Sequence, residues 1–171
     1  DALIRGHGDI SYNYLVGPDG EVYEGRYGGA GVVGRHAGRY DWGSIGVALV
    51  GDYGTLGLST RVQSALVDLL AYLCEVHDLD PEGETYFVDA TLPTLMGHRD
   101  CGATECPGMA LQAALPEIRS QVAVKLEGRP VLSLSSPVEG EAVRAVVGPR
   151  IEVTGTVTQT LFYVDGVLAS S

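Results

Sequence analysis

The sequence predicts an α/β domain followed by the beginning of an all-β segment. Strand-like runs of branched and aromatic residues alternate with helical apolar spacing over residues 1–125, and this order predicts a sheet with helices on its faces. After residue 128 only short alternating strands and turns remain, as in a β-sandwich. We therefore predict a domain at 1–125, a linker at 126–136 and an incomplete β module at 137–171.

The first half of the domain reads as strands and a glycine-rich loop. Residues 12–16 and 21–23 flank the turn formers of residues 17–20, which predicts a β-hairpin. Residues 25–34 contain five glycines and predict a loop whose backbone approaches a ligand or its own fold. Residues 44–50 are apolar over a strand's length and predict a buried central strand.

The second half of the domain predicts two helices separated by a long connection. Apolar residues at helical spacing predict a helix at 60–77, with Thr60 and Gln63 as a capping box. Residues 78–94 read as an irregular connection, and Leu95 and Met96 as a short strand. A helix at 109–124 is expected to have a step at Pro116.

Composition excludes several classes of function. The chain has 171 residues and a formal net charge of −11, which disfavours nucleic-acid binding. No apolar run has the length of a membrane span. The chain begins at Asp1 without a signal-like segment, so we expect any targeting signal to have been removed or to lie outside it.

Residues 97–108, GHRDCGATECPG, concentrate the chemistry of the chain. Such a loop can aim the His98 imidazole and the Cys106 thiolate at one point, and Zn²⁺ prefers nitrogen and sulfur donors. The alternatives are a surface histidine with a buried thiol, and a three-donor cluster that adds Cys101. The remaining cysteine, Cys74, lies in the apolar pattern of a helix and is expected in the core.

The motif and four upstream blocks carry a family resemblance. The blocks occupy residues 9–16, 19–26, 34–38, 44–52 and 97–108. In this order they resemble the zinc-dependent N-acetylmuramoyl-L-alanine amidases, which include phage lysozyme-amidases and animal peptidoglycan recognition proteins. The resemblance implies a mixed central sheet flanked by helices, and zinc-dependent hydrolysis of the amide between N-acetylmuramic acid and L-alanine in peptidoglycan. It also implies a secreted, cell-wall-associated protein, which we expect to be a monomer.

The resemblance assigns His98 and Cys106 as zinc ligands. It places a first strand and a helix before Asp1, with a third ligand, a histidine, at the end of that strand. Residues 1–171 alone are therefore expected to bind zinc weakly and to show little or no amidase activity. His7 is a less favoured stand-in, because it occupies a loop position and is more simply a solvated histidine. Cys101 is left as a loop thiol.

The resemblance also implies roles for residues around the metal. Tyr12 is placed beside it, to position the water or donate to the oxyanion, and Thr104 stands where some relatives have Lys, as a second donor. His36, expected on an exposed flexible loop, and Arg26 are substrate-binding candidates. Residues 27–29 depart from the usual aromatic arrangement, which leaves peptide selectivity open.

Other interpretations remain at this level. Arg99 and Asp100 are expected to form a structural ion pair beside His98. The chain could be a non-catalytic peptidoglycan-binding module, although members that only bind typically lose the cysteine ligand retained here as Cys106. It could also carry a structural zinc or thiol site in an adhesin-like surface protein. The tail resembles the front of an immunoglobulin-like module.

Overall fold

The computed structural model describes residues 8–128, 131–136, 150–155, 162–164 and 167–170. Two compact units, Asp1–Leu126 and Glu127–Ser171, divide the chain. The first unit confirms the predicted α/β fold, because a mixed sheet packs against helices. None of the helices in the described ranges is long and apolar enough to span a bilayer. His7 lies outside the described residues.

The predicted hairpin is confirmed and forms one side of a three-stranded sheet. Strand β1 (Tyr14–Val16) pairs antiparallel with β2 (Val22–Glu24) and parallel with β3 (Val47–Leu49). The prediction of a central strand at 44–50 was wrong in position, because β1 is the middle strand of the described sheet and β3 lies beside it. The β1 residue Val16 is fully buried.

Helix α1 (Thr60–Val76) confirms the first predicted helix but begins differently. Its N-cap is Ser59, whose Oγ accepts a hydrogen bond from the Val62 amide at 3.3 Å. The capping box on Thr60 was therefore wrong. Gln63 instead donates from its side chain to Gln121 at 2.9 Å.

The predicted connection at 78–94 contains a hairpin. Strands β4 (Glu84–Phe87) and β5 (Ala90–Pro93) pair antiparallel. The prediction of a connection without strands rested on Pro81, Gly83 and Pro93. The β-prone side chains of β4 nevertheless form a strand.

The segment before His98 also differs from the prediction. Residues 95–96 are not a strand, and His98 instead begins a single helical turn, α2 (His98–Cys101). Helix α3 (Met109–Glu127) continues through Pro116 without a break. Pro116 is exposed, so water can bind the Gln112 carbonyl that lacks its usual helical donor.

The core lies between the sheet, α1 and α3. One face of α1 packs on β1, and another packs on α3 around the fully buried Ile118. Cys74 is 1% exposed in this core, as predicted. Burial of each large aliphatic side chain contributes roughly 2 kcal/mol. The sheet and α3 are thus fixed relative to each other through α1.

The second unit contains four strands in its described parts. β6 (Val131–Ser136) pairs antiparallel with β7 (Arg150–Thr154), and β8 (Phe162–Val164) pairs antiparallel with β9 (Val167–Ser170). The range predicted as a linker, 126–136, contains the end of α3 and all of β6. The assignment of this unit to an immunoglobulin-like module stays a prediction.

Candidate active site

Residues 97–108, here called the His98 loop, are attached to α3 at their beginning. The Asp100 carboxylate accepts hydrogen bonds from the Gly97 amide and from the Gln112 side chain, both at 2.8 Å. Just upstream, Arg119 Nε donates to the Leu95 carbonyl at 2.7 Å. These bonds explain why the turn that carries His98 has a defined position despite its short length.

The second half of the His98 loop carries Cys106 and is held by local contacts. The Cys106 amide donates to Thr104 Oγ1 at 3.1 Å, and the Gly108 amide donates to the Glu105 carbonyl at 2.8 Å. Cys106 is exposed. Tyr12 lies close enough to Cys106 for Cys106 to raise the pKa of the Tyr12 hydroxyl. Cys106 is therefore accessible to solvent and lies close to Tyr12, which precedes β1.

Tyr12 is a neutral hydrogen-bond donor at neutral pH. Burial raises the pKa of Tyr12, and Cys106 raises it further through its charge and its hydrogen bond. The Tyr12 ring also stacks on His36, with ring centroids 5.6 Å apart and planes 24° apart. Tyr12 thus touches both the His98 loop and the loop that carries His36.

Residues 25–46, here called the His36 loop, bury the histidine that we expected to be exposed. The His36 side chain is only 8% exposed, and Nε2 is buried without a hydrogen-bond partner among the described residues. A Cβ at Gly34 or at Gly46 would overlap the imidazole ring. The two glycines therefore create the space in which the ring lies, and the expectation of a solvated, flexible histidine was wrong.

Asp41 contacts His36 from within the same loop. Its Oδ1 accepts the backbone amides of His36 at 2.9 Å and Ala37 at 2.7 Å, and lies 3.9 Å from His36 Nδ1. Burial lowers the pKa of His36, Asp41 opposes that effect, and His98 adds to it. Because an unperturbed histidine has a pKa of about 6.5, His36 is mainly neutral at pH 7.

Asn13 attaches the His36 loop to the sheet. Its side-chain amide donates to the carbonyls of Gly29 and Val32 and accepts from the amide of Gly46, all at 2.8 Å. Asn13 is fully buried. Since a buried amide is stable only when it is hydrogen-bonded, this side chain specifies the path of the loop.

Four of the predicted site residues share one cavity of about 570 Å³. Tyr12, His36, His98 and Cys106 line it. Thr104 and Arg26 are not among its lining residues. Thr104 lies next to the cavity, because its Oγ1 accepts a hydrogen bond from the amide of Cys106, which lines the cavity. Arg26 has Nε and one terminal nitrogen buried without hydrogen-bond partners among the described residues.

The donors on the cavity fit part of a zinc site. His98 Nδ1 is buried without a hydrogen-bond partner in the described part of the chain, and Cys106 offers an exposed thiol. Imidazole nitrogen and thiolate sulfur are donors that Zn²⁺ prefers. Within the described residues no three His, Cys, Asp or Glu side chains are arranged to hold a metal. His36 is therefore not a third ligand there, and the alternative cluster with Cys101 is not formed.

Two neighbours of His98 behave differently from the prediction. Asp100 bonds Gly97 and Gln112, while Arg99 Nε donates to the Thr104 carbonyl at 3.1 Å. The predicted ion pair between Arg99 and Asp100 was therefore wrong, because each side chain forms hydrogen bonds with a different part of the structure around His98. Cys101 Sγ contacts the His98 carbonyl at 3.5 Å.

Sequence reasoning missed Asn13, Asp41 and Gln112. Asn13, just before β1, carries no signal of its own, because its hydrogen-bond partners lie 16 to 33 residues away. Asp41 could have been found, since Asp close to a turn commonly binds backbone amides. Gln112 lies on a helix face that the apolar pattern does not mark.

The family model described as N-acetylmuramoyl-L-alanine amidase matches residues 2–109. The chain belongs to this family. The match ends at the start of α3, so it contains both loops that line the cavity.

Curated relatives include peptidoglycan recognition proteins of Drosophila melanogaster. The chain is 40% identical to peptidoglycan-recognition protein SC2 over 103 residues, which are 60% of this chain and 50% of the relative. It is 35% identical to peptidoglycan-recognition protein LB over 113 residues, which are 66% of this chain and 44% of the relative. The chain thus spans about half the length of these amidase-family relatives.

Solved structures of the family share the fold. Drosophila PGRP-LB has a TM-score of 0.56 at 35% identity, covering 67% of this chain and 60% of that one. N-acetylmuramoyl-L-alanine amidase LysC from Clostridium intestinale has a TM-score of 0.54 at 25% identity, covering 69% and 68%. The similarity therefore includes both recognition proteins and a protein named as an amidase.

Proposed function

We propose that this domain is a zinc-dependent N-acetylmuramoyl-L-alanine amidase that cleaves the amide between N-acetylmuramic acid and L-alanine. One observation carries the proposal: in a chain of this family, His98, Cys106 and Tyr12 line one cavity. Amide hydrolysis needs an activated water and a group that stabilises charge on the carbonyl oxygen. The cavity offers two zinc donors and a neutral hydroxyl for these tasks.

His98 and Cys106 would hold the zinc together with a third donor, which we propose to be a histidine outside the described residues. Bound zinc lowers the pKa of its water and polarises the carbonyl of the substrate. Tyr12 would position the water or donate a hydrogen bond from its hydroxyl to the developing oxyanion, because its raised pKa keeps it protonated. Thr104 would act as the second donor, since a hydroxyl that accepts the Cys106 amide still has its own proton to give.

The proposed substrate is a muramyl peptide. Drosophila PGRP-LB carrying a Tyr-to-Phe substitution was solved with tracheal cytotoxin, and human PGRP-IβC with a glycosamyl muramyl pentapeptide. By analogy, His36 would contact the substrate from the cavity wall, and Arg26 would contact it from the neighbouring part of the His36 loop. A protein with this substrate would be secreted and associated with the cell wall.

The competing function is recognition of peptidoglycan without hydrolysis. The identity to peptidoglycan recognition proteins favours it, since binding requires the cavity but not a complete zinc site. The retained pair of His98 and Cys106 favours hydrolysis instead. A thiol and an unpartnered histidine nitrogen on the same cavity have no evident purpose in binding alone.

Product analysis separates the two functions. The purified protein, in a form that includes the third zinc ligand, is incubated with muramyl dipeptide and with peptidoglycan fragments, first as prepared, then after removal of metal by a chelator, and then after addition of zinc. We expect N-acetylmuramic acid and a peptide with a free L-alanine amine, loss of both products without metal, and their recovery with zinc. Binding of the fragments without any cleavage under all three conditions would establish the recognition function and overturn ours.

A further inference from the structure

We propose that Asp89 is a positioning residue that holds the hairpin of β4 and β5 against the His36 loop, where the hairpin forms one wall of the substrate cavity. The His36 loop lines this cavity with residues between 30 and 46. The hairpin lines it with Thr85, Phe87, Leu92 and Pro93. The inference rests on the proposed function for its ligand, a muramyl peptide, and adds to it a wall and the residue that holds the wall in place.

The first step concerns why the hairpin needs external support. Strands β4 and β5 form a two-stranded sheet and pair with no third strand in the described part of the chain. An isolated hairpin of this kind is at best marginally stable in water. Its turn also contains Val88 at a φ of 60°, a left-handed conformation that costs energy for a β-branched side chain. Contacts with the rest of the domain must therefore fix its position.

The second step concerns the polar contact at the turn. The Tyr40 hydroxyl donates a hydrogen bond to Asp89 Oδ1, and a terminal nitrogen of Arg39 lies 2.6 Å from Asp89 Oδ2. Tyr40 is buried, whereas the Arg39 side chain is 65% exposed. Because exposed ion pairs contribute little to stability, the hydrogen bond from the buried tyrosine is the stronger part of this contact. One carboxylate thus attaches the hairpin turn to the His36 loop.

The third step concerns the apolar contact beside it. The Phe87 and Tyr40 rings have centroids 5.7 Å apart and planes 48° apart, which is a favourable tilted arrangement. A Cβ at Gly43 would lie 3.3 Å from Phe87 Cε2, so the backbone of the His36 loop passes directly beside this ring. Phe87, Tyr40 and Gly43 are all lining residues of the cavity. The two elements therefore meet at the cavity, and a displaced hairpin would remove part of its wall.

The test compares D89A with Y40F, with the double variant and with the conservative variant D89N. The asparagine in D89N keeps an oxygen that accepts the Tyr40 proton and loses only the exposed ion pair, so it should stay within about 2-fold of wild type in each measurement. D52A is the matched control, because Asp52 is also exposed and accepts a loop amide, that of Gly54 at 2.9 Å. Thermal unfolding of each variant establishes that the domain folds.

Amide hydrogen exchange reports the attachment of the hairpin without any ligand. In D89A and Y40F we expect the protected amides of residues 84–93 to exchange about 5-fold faster than in wild type, the effect of losing one hydrogen bond. The amides of α1 should exchange at the wild-type rate in every variant. A change confined to the hairpin distinguishes this attachment from a general loss of stability.

Titration with a muramyl pentapeptide, in protein freed of metal, tests whether the attached hairpin serves binding. We expect affinity to fall by about 3- to 10-fold in D89A and in Y40F. The double variant should be no weaker than D89A, because both changes release the same contact. D89N and D52A should bind like the wild type.

Other outcomes would overturn the proposal. Unchanged hairpin exchange in D89A would show that Asp89 does not hold the hairpin, and faster exchange with wild-type affinity would show that the hairpin is no part of the substrate site. Losses that multiply in the double variant would mean that Asp89 and Tyr40 act separately. A wild type that binds no muramyl pentapeptide would refute the proposed substrate together with this inference. The expected exchange and affinity effects in a protein that never cleaves the amide would instead refute the amidase function alone and support this inference.

Discussion

The two loops that line the cavity are fixed in different ways. The His36 loop is attached at its middle and its end by long-range bonds from the buried Asn13, and its histidine is enclosed by two glycines. The His98 loop is attached to α3 at its beginning by Asp100, while Cys106 at its end is exposed and held by neighbours in sequence. The comparison indicates that the His36 loop is held by long-range contacts of the folded sheet, whereas the position of Cys106 depends on contacts within its own loop.

The largest expected effect is on Cys106. In C106S we expect the rate of hydrolysis to fall by more than about 100-fold, because a serine hydroxyl replaces a zinc-binding thiolate poorly. This loss is larger than that typical of residues that only hydrogen-bond a metal ligand. Binding of muramyl dipeptide should stay close to wild type, since the His36 loop is untouched. Activity and affinity are measured on the same preparation. Cleavage at the wild-type rate would show that Cys106 takes no part in catalysis.

The contrast between the loops also explains what the sequence could predict. The His98 loop was recognised because its histidine, cysteines and glycines are adjacent in the chain and its support is mostly local. The burial of His36 was missed because it depends on Gly46 and Asn13, which approach only after β1 and β3 have paired. The helices followed from apolar spacing, whereas β4 and β5 were missed because flanking prolines and glycine obscured them.

The next effect is on stability and tests the support of the His36 loop. Asn13→Ala should lower the free energy of unfolding by about 3–5 kcal/mol, because two carbonyls and one amide lose a buried partner. Gln63→Ala removes one side-chain bond, to Gln121, and should cost about 1 kcal/mol. Denaturant unfolding measures both. Equal costs for the two variants would mean that Asn13 does not specify the loop.

A smaller effect is expected from enlarging a glycine behind His36. Gly46→Ala should destabilise the fold by about 1–3 kcal/mol, because the new methyl group overlaps the His36 ring and forces it to move. Gly31→Ala, in the same loop, is the control, since its added methyl group meets no atom within 4 Å. The two variants are compared by thermal unfolding and by affinity for muramyl dipeptide. A Gly31 variant as impaired as the Gly46 variant would contradict the enclosed histidine.

The smallest effect should come from Cys101. Its thiol makes a weak contact with the His98 carbonyl, so C101S should retain hydrolysis within about 2-fold and change stability by less than about 0.5 kcal/mol. Zinc content and rate are measured beside C106S, which makes the two cysteines controls for each other. Loss of zinc in C101S would instead place Cys101 among the ligands.

The central claim is that Cys106, and not Cys101, provides the thiolate of a zinc site that includes His98. Cobalt substitution tests it most directly, because a thiolate bound to Co²⁺ gives a charge-transfer band that nitrogen and oxygen donors do not give. We predict this band in the wild type and in C101S and its loss in C106S. A band that persists in C106S, or that disappears in C101S, would contradict the account.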